Sequence, residues 1–273
     1  MDSTEIRKPA VSGQFYPGSA QRLKENIERL IDKDVKAAQA IGCMLPHAGY
    51  MYSGGVAGKT VSSVVVKDNV ILIGPNHTGY GALFSIMTEG VWQTPLDNSE
   101  INSDLAKAIL SESKFLSEDN LAHIGEHSLE VELPFLQYFN PKVKIVPIVA
   151  SEDEISTYRE IGSSLAQAIK RCKLERNTLI VASSDMTHYE DQKQAEKKDK
   201  VAIEAILQLD EGSLVNKIKG LHISMCGYIP TAIMLVAAKQ LGAKEARLIA
   251  YQTSADVTGD YGAVVGYAGI IVS

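Results

Sequence analysis

The chain has 273 residues, 45% of them hydrophobic, with a formal net charge of −6 and three cysteines. A chain of this size can bury a large core, and we expect one domain over residues 1–273. A negative charge with no basic block argues against a nucleic-acid partner, and three widely separated cysteines argue against a disulfide framework.

The pattern of apolar residues along the chain predicts a cytoplasmic protein that is not inserted in a membrane. No run of eighteen apolar residues occurs, and residues 1–5 lack the basic-then-apolar order of a signal peptide. We therefore expect a metal ion or ligand to be acquired inside the cell.

Short apolar runs bounded by Gly, Pro, Asn or Ser predict buried strands, and apolar residues at three- and four-residue spacing predict helices between them. The predicted elements, in chain order, are a helix at 20–31, a strand at 41–45, a helix at 55–65, a strand at 70–74, helices at 103–112 and 128–139, a strand at 143–150, a helix at 155–172, a strand at 178–182, helices at 192–209 and 230–241, and strands at 246–251 and 263–272. This alternation predicts an α/β fold, with a central mostly parallel or mixed sheet flanked by helices on both faces.

Three predicted strands are each followed by a residue that binds metals or transfers protons. His47, His77 and Asp185 come directly after the strands at 41–45, 70–74 and 178–182. Ligands in such sheets collect beyond the carboxyl ends of the strands. We therefore expect these side chains to meet at one edge of the sheet.

The types of side chain at these positions favour a transition metal. Neutral imidazole and thiolate suit iron, copper or zinc, whereas magnesium and calcium prefer oxygen ligands. Cys226 precedes a helix and is a candidate third ligand beside His47 and His77, with a thiol pKa lowered by the helix start or by a metal. The alternatives are turn-forming roles for the histidines and simple packing for the cysteine.

Asp185 and His188 share one short loop, which favours an acid–base pair in which the carboxylate orients the imidazole. The alternative is that Asp185 caps the next helix and His188 is exposed. His127 is interpreted either as a group that supports the ligands or binds substrate, or as a helix-start residue. His123 and His222 are interpreted as surface residues.

Residues near the histidine loops suggest how a ligand is admitted. Gly49, Gly54 and Gly55 allow close approach of the backbone and precede a predicted helix start. Tyr50, Tyr52 and Tyr80 are candidates for a binding surface, although aromatic residues near turns are commonly structural.

Eight motifs carry a resemblance to a known family. They are PAVSGQFYPG (9–18), PHAGYMYSG (46–54), GPNH (74–77), TPLDNSEI (94–101), EHSLEVELPFLQ (126–137), PIV (147–149), SSDMTHY (183–189) and SMCG (224–227). Together they resemble the Memo (mediator of cell motility) family, found from archaea to animals. That family is similar in fold to the class III extradiol ring-cleaving dioxygenases, which use non-haem ferrous iron.

The resemblance implies that His47, His77 and Cys226 are metal ligands and that Asp185 and His188 line the same pocket. His188 stands at the place of the acid–base histidine of the dioxygenases. The third dioxygenase ligand is a glutamate, and the softer Cys226 favours copper or zinc more than a carboxylate does.

Three functions follow as expectations from the ligand types and the resemblance. The first is an iron- or copper-dependent oxidoreductase acting on a small molecule. The second is a non-catalytic module that binds a peptide or small ligand, because animal members of the family are proposed to bind phosphotyrosine peptides. The third is a zinc-dependent hydrolase.

Overall fold

The computed structural model describes residues 5–273. Residues 1–4, which carry part of the expectation that no signal peptide is present, lie outside the described residues. The described strands are β1 (Ile6–Arg7), β2 (Gly42–Leu45), β3 (Asn69–Pro75), β4 (Phe84–Ile86), β5 (Val91–Gln93), β6 (Asn98–Glu100), β7 (Ser117–Glu118), β8 (Lys144–Ala150), β9 (Thr178–Ser183), β10 (His188–Glu190), β11 (Ala246–Thr253) and β12 (Val264–Val272). The described helices are α1 (Ala20–Leu30), α2 (Tyr50–Ser62), α3 (Ser103–Glu112), α4 (Leu121–Ile124), α5 (Leu133–Phe139), α6 (Ile155–Arg171), α7 (Gln192–Leu207), α8 (Glu211–Gly220), α9 (Tyr228–Gln240) and α10 (Ala255–Thr258).

The main sheet is mixed, with a parallel centre and antiparallel flanks. Its order is β10-β12-β2-β9-β3-β8-β4-β7, and β11 also pairs with β12. The neighbours β2, β9, β3 and β8 run parallel, whereas β12 is antiparallel to β2 and β4 is antiparallel to β8. A small second sheet has the order β1-β5-β6.

Helices cover the parallel strands on both faces. Every residue of β2, β3 and β9 is buried, as expected for parallel strands sandwiched between helix layers. Helix α9 packs on β2, β3 and β9 and against α6, whereas α2 packs on β2, β11 and β12 and against α1. The predicted α/β fold with a mixed sheet flanked by helices is confirmed, and the prediction of one domain over residues 1–273 stays a prediction.

Helix α2 begins five residues earlier than predicted, which changes the meaning of its glycines. Gly54 and Gly58 lie inside the helix against Leu30 of α1. A Cβ atom on Gly58 would lie 2.4 Å from the backbone oxygen of Leu30. Gly54 therefore serves contact between two helices, and its expected role in admitting a ligand is wrong.

The predicted helix at 128–139 is also different, since α5 begins only at Leu133 and residues 128–132 form a series of turns. We call residues 126–132 the crossing segment. Glu126, Ser128, Glu130 and Glu132 are all fully buried. Buried polar groups need hydrogen-bond partners, and each of these four side chains makes at least one hydrogen bond to another part of the chain.

The N-terminal segment is clamped to the crossing segment by a buried ion pair. Arg7 pairs with Glu130 and donates hydrogen bonds to the carbonyl oxygens of His123 (3.1 Å) and Glu126 (2.6 Å). Glu130 also accepts hydrogen bonds from Ala10 N, Val11 N and the Tyr16 hydroxyl. Residues 7–16 are thereby fixed against the segment that lies next to the sheet edge.

His123 is fully buried, so its interpretation as a surface residue is wrong. Its ring lies 6.0 Å from that of Trp92, and its Nε2 lies 3.1 Å from the Ser85 hydroxyl. This histidine is part of the core next to Arg7, which donates a hydrogen bond to its carbonyl oxygen.

We expect Arg7→Met to reduce the free energy of unfolding by about 3–5 kcal/mol, because Glu130 is left charged and buried. Urea unfolding measures the loss. Arg7→Met combined with Glu130→Gln should recover much of it, and Lys107→Met, which breaks an exposed pair with Glu89, should change stability little. Equal losses of unfolding free energy in Arg7→Met and Lys107→Met would contradict a stabilising role for the buried ion pair of Arg7 and Glu130.

Candidate metal centre

Two histidines and one cysteine converge at the carboxyl edge of the parallel strands. His47 follows β2, His77 follows β3 and Cys226 precedes α9. One ligand atom from each residue lies within 4.8 Å of the other two, and Cys226 Sγ lies 3.3 Å from His47 Nε2. Three distant stretches of sequence therefore form one cluster of potential ligands.

The geometry of this cluster fits a transition metal. Bond lengths of about 2.0 Å to nitrogen and 2.3 Å to sulfur place two ligands of a tetrahedral ion roughly 3.5 Å apart. The separation of 3.3 Å between Cys226 Sγ and His47 Nε2 is close to that value. The His77 side chain is 33% exposed, so the cluster is open to solvent on one side.

Glu126 of the crossing segment holds His77 at two points. Its carboxylate accepts hydrogen bonds from His77 N (2.6 Å) and His77 Nδ1 (2.9 Å), and also from Ser128 N (2.8 Å). Burial opposes ionisation, but the hydrogen bonds from His77 and Ser128 lower the pKa of Glu126 to about 2. An ionised carboxylate on Nδ1 leaves the His77 Nε2 free to bind a metal.

His47 is oriented by the end of β9 and the loop that follows it. Its backbone N–H donates to Asp185 Oδ1 (2.8 Å), and its Nδ1 lies 2.8 Å from the Ser183 hydroxyl oxygen. Burial, followed by the charges of the neighbouring histidines, holds the pKa of His47 well below its usual range. The ring is therefore neutral at physiological pH, which is the form that binds metals.

Cys226 reaches the cluster because its neighbour is glycine. A Cβ atom on Gly227 would lie 2.2 Å from the backbone oxygen of Ser183, so a side chain there would push the loop away from β9. Burial raises the pKa of the Cys226 thiol, so the expected lowering by the start of α9 is wrong for the metal-free thiol.

His127 is a third imidazole beside the cluster. Its ring is stacked on that of His77 at 4.7 Å and lies 5.6 Å from that of His47. The interpretation of His127 as a helix-start residue is wrong, because α5 begins six residues later. Phe15 from the N-terminal segment packs edge-on against the ring at 5.0 Å and fixes its outer side.

Asp185 and His188 lie near each other, but neither of the expected arrangements occurs. Asp185 accepts hydrogen bonds from the backbone N–H groups of His47 and Ala48, and it does not cap α7, whose cap is Asp191. Burial raises the pKa of Asp185 to about 6, and the nearby His188 acts in the opposite direction. His188 acts on this carboxyl group through space, with no hydrogen bond between them among the described residues.

His188 is oriented by Ser224 instead of Asp185. Its Nδ1 lies 2.8 Å from the Ser224 carbonyl oxygen, and its backbone N–H donates to the Ser224 hydroxyl (2.7 Å). Because a carbonyl oxygen can only accept, Nδ1 carries the proton. In the neutral ring Nε2 is therefore free to take a proton.

Large exposed side chains follow three of these loops. Met51, Tyr80 and Tyr189 are 68%, 66% and 79% exposed, and each lies within four residues of His47, His77 or His188. Tyr189 has a φ of +60° beside a register shift in β10, a conformation that is strained for a bulky side chain. We call Met51, Tyr80 and Tyr189 the rim.

Tyr50 does not belong to this exposed surface. It is buried, and its hydroxyl donates to the Val131 carbonyl oxygen at 2.9 Å. Its aromatic ring packs against Phe135 of α5, with ring centroids 4.6 Å apart. The expected contribution of Tyr50 to a binding surface is therefore wrong.

Several residues that support the ligands were not identified from the sequence. The signal for Glu126 is its position next to His127, and the signal for Ser183 is its position at the end of β9. Glu132 and Ser224 carry no signal, because the segments around them acquire their paths only from the packed structure.

Fold and side chains together define an α/β protein with a His-His-Cys cluster at the carboxyl edge of a mixed sheet. The model of the family described as "Memo-like protein" matches residues 7–271. The chain belongs to this family.

Archaeal relatives support this assignment over nearly the whole length. A MEMO1 family protein of Methanopyrus kandleri is 42% identical over 279 residues, covering 97% of this chain and 98% of that protein. A MEMO1 family protein of Methanosarcina mazei is 41% identical over 270 residues, covering 98% and 99%. One from Nitrosopumilus maritimus is 40% identical over 275 residues, covering 97% and 98%.

A solved structure shares the fold alone. The uncharacterized protein JW3007 from Escherichia coli K12 superposes with a TM-score of 0.58 at 13% identity, covering 86% of this chain and 100% of that one. Between residues 5 and 273, none of the helices combines the length and the apolar character that a membrane crossing requires. The expectation of a cytoplasmic protein stays a prediction.

We expect Glu132→Gln to stabilise the protein increasingly as the pH rises above about 4.3, the usual value for an unfolded glutamate. Burial raises the pKa of Glu132 well above that value. The unfolded state therefore loses the proton first, and the stability of the wild-type protein falls with pH, whereas glutamine does not titrate.

Urea unfolding of both proteins between pH 5 and pH 9 measures this difference. Glu175→Gln, at an exposed glutamate near the opposite end of β9, is the control and should show no such trend. A difference between Glu132→Gln and the wild type that stays constant over this range would contradict the expectation.

Proposed function

We propose that this protein is a metal-dependent oxidoreductase of the Memo family, in which His47, His77 and Cys226 hold one iron or copper ion and the substrate is a small molecule. The observation that carries the proposal is the meeting of two imidazoles and one thiol within 4.8 Å. Imidazole and sulfur ligands together favour iron, copper or zinc over magnesium or calcium.

When bound, an iron or copper ion supplies electron-transfer chemistry and polarises a coordinated substrate. The residues of the chain hold the ligands and leave room for that substrate. Glu126 fixes the ring of His77, and Asp185 fixes the backbone of His47. The exposed side of His77, 33% open to solvent, is the side on which a substrate can enter.

His188 is the proposed proton carrier, and Asp185 and His127 are the other proposed catalytic residues. The His188 Nδ1 faces the Ser224 carbonyl oxygen, so its free Nε2 can accept a proton from the substrate and return it. Asp185, with a pKa raised to about 6, can take up a second proton as the pH falls to about that value. His127, stacked on His77, is the proposed contact for the substrate.

We expect about one equivalent of iron or copper in protein purified anaerobically without chelator. His47→Ala and Cys226→Ser should each lose most of this metal, because each removes one of the three proposed ligands. The matched controls His222→Ala and Cys172→Ser change the same residue types away from the cluster and should keep the metal. Metal analysis by mass spectrometry gives the result.

The identity of the metal separates the proposed function from its alternatives. Iron or copper that can be reversibly reduced and reoxidised in the protein supports an oxidoreductase. Zinc alone would assign the same ligands to the hydrolase alternative, in which a bound water is activated. Equal metal content in the wild type, His47→Ala and Cys226→Ser would end the proposal.

A second candidate function is a module that binds a peptide or small anionic ligand, and the rim favours it. Met51, Tyr80 and Tyr189 expose large side chains beside the loops of the cluster. Exposed aromatic side chains are enriched where proteins bind partners.

We expect, for this second function, that a tyrosine-phosphorylated peptide raises the melting temperature of the metal-free protein. Tyr80→Ser and Tyr189→Ser should reduce the rise, because they remove aromatic contact area. Phe115→Ser, at another exposed aromatic residue, should leave it unchanged. Absence of protection by the phosphorylated and unphosphorylated peptides would remove this candidate.

A further inference from the structure

A fully buried carboxyl group lies beneath the proposed metal site, and no cationic side chain from residues 5–273 lies beside it. Glu132 is 0% exposed, and the ionisable groups that face it are Asp185, Cys43 and Tyr50, none of them a cation. Its Oε1 lies 3.0 Å from the Ser183 hydroxyl oxygen, and its Oε2 has no hydrogen-bond partner among the described residues. Glu130, two residues earlier, has Arg7 as its partner, so the two buried acids have different surroundings.

The Ser183 hydroxyl connects this acid to His47. Its oxygen lies 2.7 Å from the Ser128 carbonyl oxygen, 3.0 Å from Glu132 Oε1 and 2.8 Å from His47 Nδ1. A hydroxyl has one proton to donate and two lone pairs that accept. The three contacts can therefore all be hydrogen bonds in only a few arrangements of protons.

Counting the protons leaves one arrangement that satisfies every contact. The Ser128 carbonyl can only accept, so the Ser183 hydroxyl proton goes there. His47 and Glu132 must then both donate to the Ser183 hydroxyl oxygen, which requires a proton on His47 Nδ1 and a proton on Glu132 Oε1. An ionised Glu132 would compete with the Ser128 carbonyl for the single hydroxyl proton and leave one buried acceptor unpaired.

We propose that Glu132, as a neutral carboxylic acid, is a positioning residue that locks His47 in the Nδ1–H tautomer through Ser183 and so leaves His47 Nε2 bare for a metal. Burial raises the pKa of Glu132 well above its usual range, in agreement with the neutral form. The inference rests on the proposed function for its consequence, although the tautomer itself exists with or without a metal.

The other tautomer of His47 would obstruct the cluster. A proton on Nε2 would point at Cys226 Sγ, which lies only 3.3 Å away, and would have to be removed before an ion could bind. His77 is held differently, because its Nδ1 faces the ionised carboxylate of Glu126 directly. His77 is thus held directly by an ionised acid, Glu126. His47 is held through the Ser183 hydroxyl by a neutral acid, Glu132.

The experiment uses the full chain and follows both tautomer and metal affinity. Nitrogen NMR of ¹⁵N-histidine-labelled, metal-free protein identifies which nitrogen of His47 carries the proton, with His47→Ala giving the assignment. We expect the Nδ1–H form in the wild type and in Glu132→Gln, because a carboxamide N–H donates to Ser183 as a carboxylic acid does. In Ser183→Ala and Glu132→Leu we expect a mixture of both forms.

Zinc affinity, measured by competition with a chelator, should follow the tautomer. Glu132→Gln should stay within about threefold of the wild type, and Ser183→Ala and Glu132→Leu should bind about 10- to 100-fold more weakly, as for other groups that orient metal-binding histidines. Circular dichroism checks that each variant folds. If Glu132→Leu does not fold, the isosteric Glu132→Gln still tests the proposal. Weaker zinc binding by Glu132→Gln would show that the negative charge of Glu132 is needed, and this result overturns the proposal.

The outcomes separate this inference from the proposed function. An Nε2–H form in the wild type, or the same tautomer populations in all four proteins, overturns the inference whether or not a metal binds. Failure of the wild type to bind zinc, iron or copper overturns the proposed function and leaves the tautomer result to stand by itself.

Discussion

The candidate site depends on one constraint, which is that four polar side chains of the short crossing segment are buried together. Glu126, Ser128, Glu130 and Glu132 are each fully buried between the sheet edge and the N-terminal segment. Each must find a partner, because an unpaired polar group in the interior costs about 1–3 kcal/mol. The partners are the loops that carry the proposed ligands and the N-terminal residues 7–16. The hydrogen bonds of the crossing segment therefore also position the site.

This constraint explains why distant parts of the chain are placed so closely. Glu126 fixes the loop after β3, the Ser128 carbonyl and Glu132 fix the end of β9, and Glu130 fixes residues 7–16. A substitution that disrupts the crossing segment would therefore affect the loop after β3, the end of β9 and residues 7–16 together. The arrangement makes the N-terminal segment part of the architecture of the site, although it contributes none of the proposed ligands.

The centre of the main sheet could be predicted from the sequence because β2, β3, β8 and β9 are nearly continuous apolar runs. The strand predicted at 178–182 is observed at Thr178–Ser183, and the helix predicted at 103–112 has those same bounds. The meeting of His47 and His77 also follows from the sequence, since parallel strands end at a common edge. Helix α8 was missed, although Asp210 caps it through Ser213 N and its apolar residues have helical spacing.

The orienting groups could not be predicted, because their partners depend on the path of the backbone. The sequence places Asp185 three residues from His188, but a register shift in β10 turns His188 towards Ser224. The alternation of Glu126, Ser128, Glu130 and Glu132 has a period of two, which does not match one face of a helix, but only the tertiary contacts show that all four residues are buried. Sequence therefore predicts which residues meet more readily than it predicts their hydrogen bonds.

Burial determines the protonation states of two of the three proposed ligands. Burial favours the neutral form of both His47 and Cys226, since it lowers the pKa of the imidazole and raises that of the thiol. These two ligands are therefore uncharged before a metal arrives, and the fold does not have to stabilise an isolated buried charge. On metal binding, Cys226 would give up its thiol proton, so that the negative charge on sulfur would form together with the positive charge that compensates it. A cysteine in the third position thus adds no isolated buried charge to the cluster by itself.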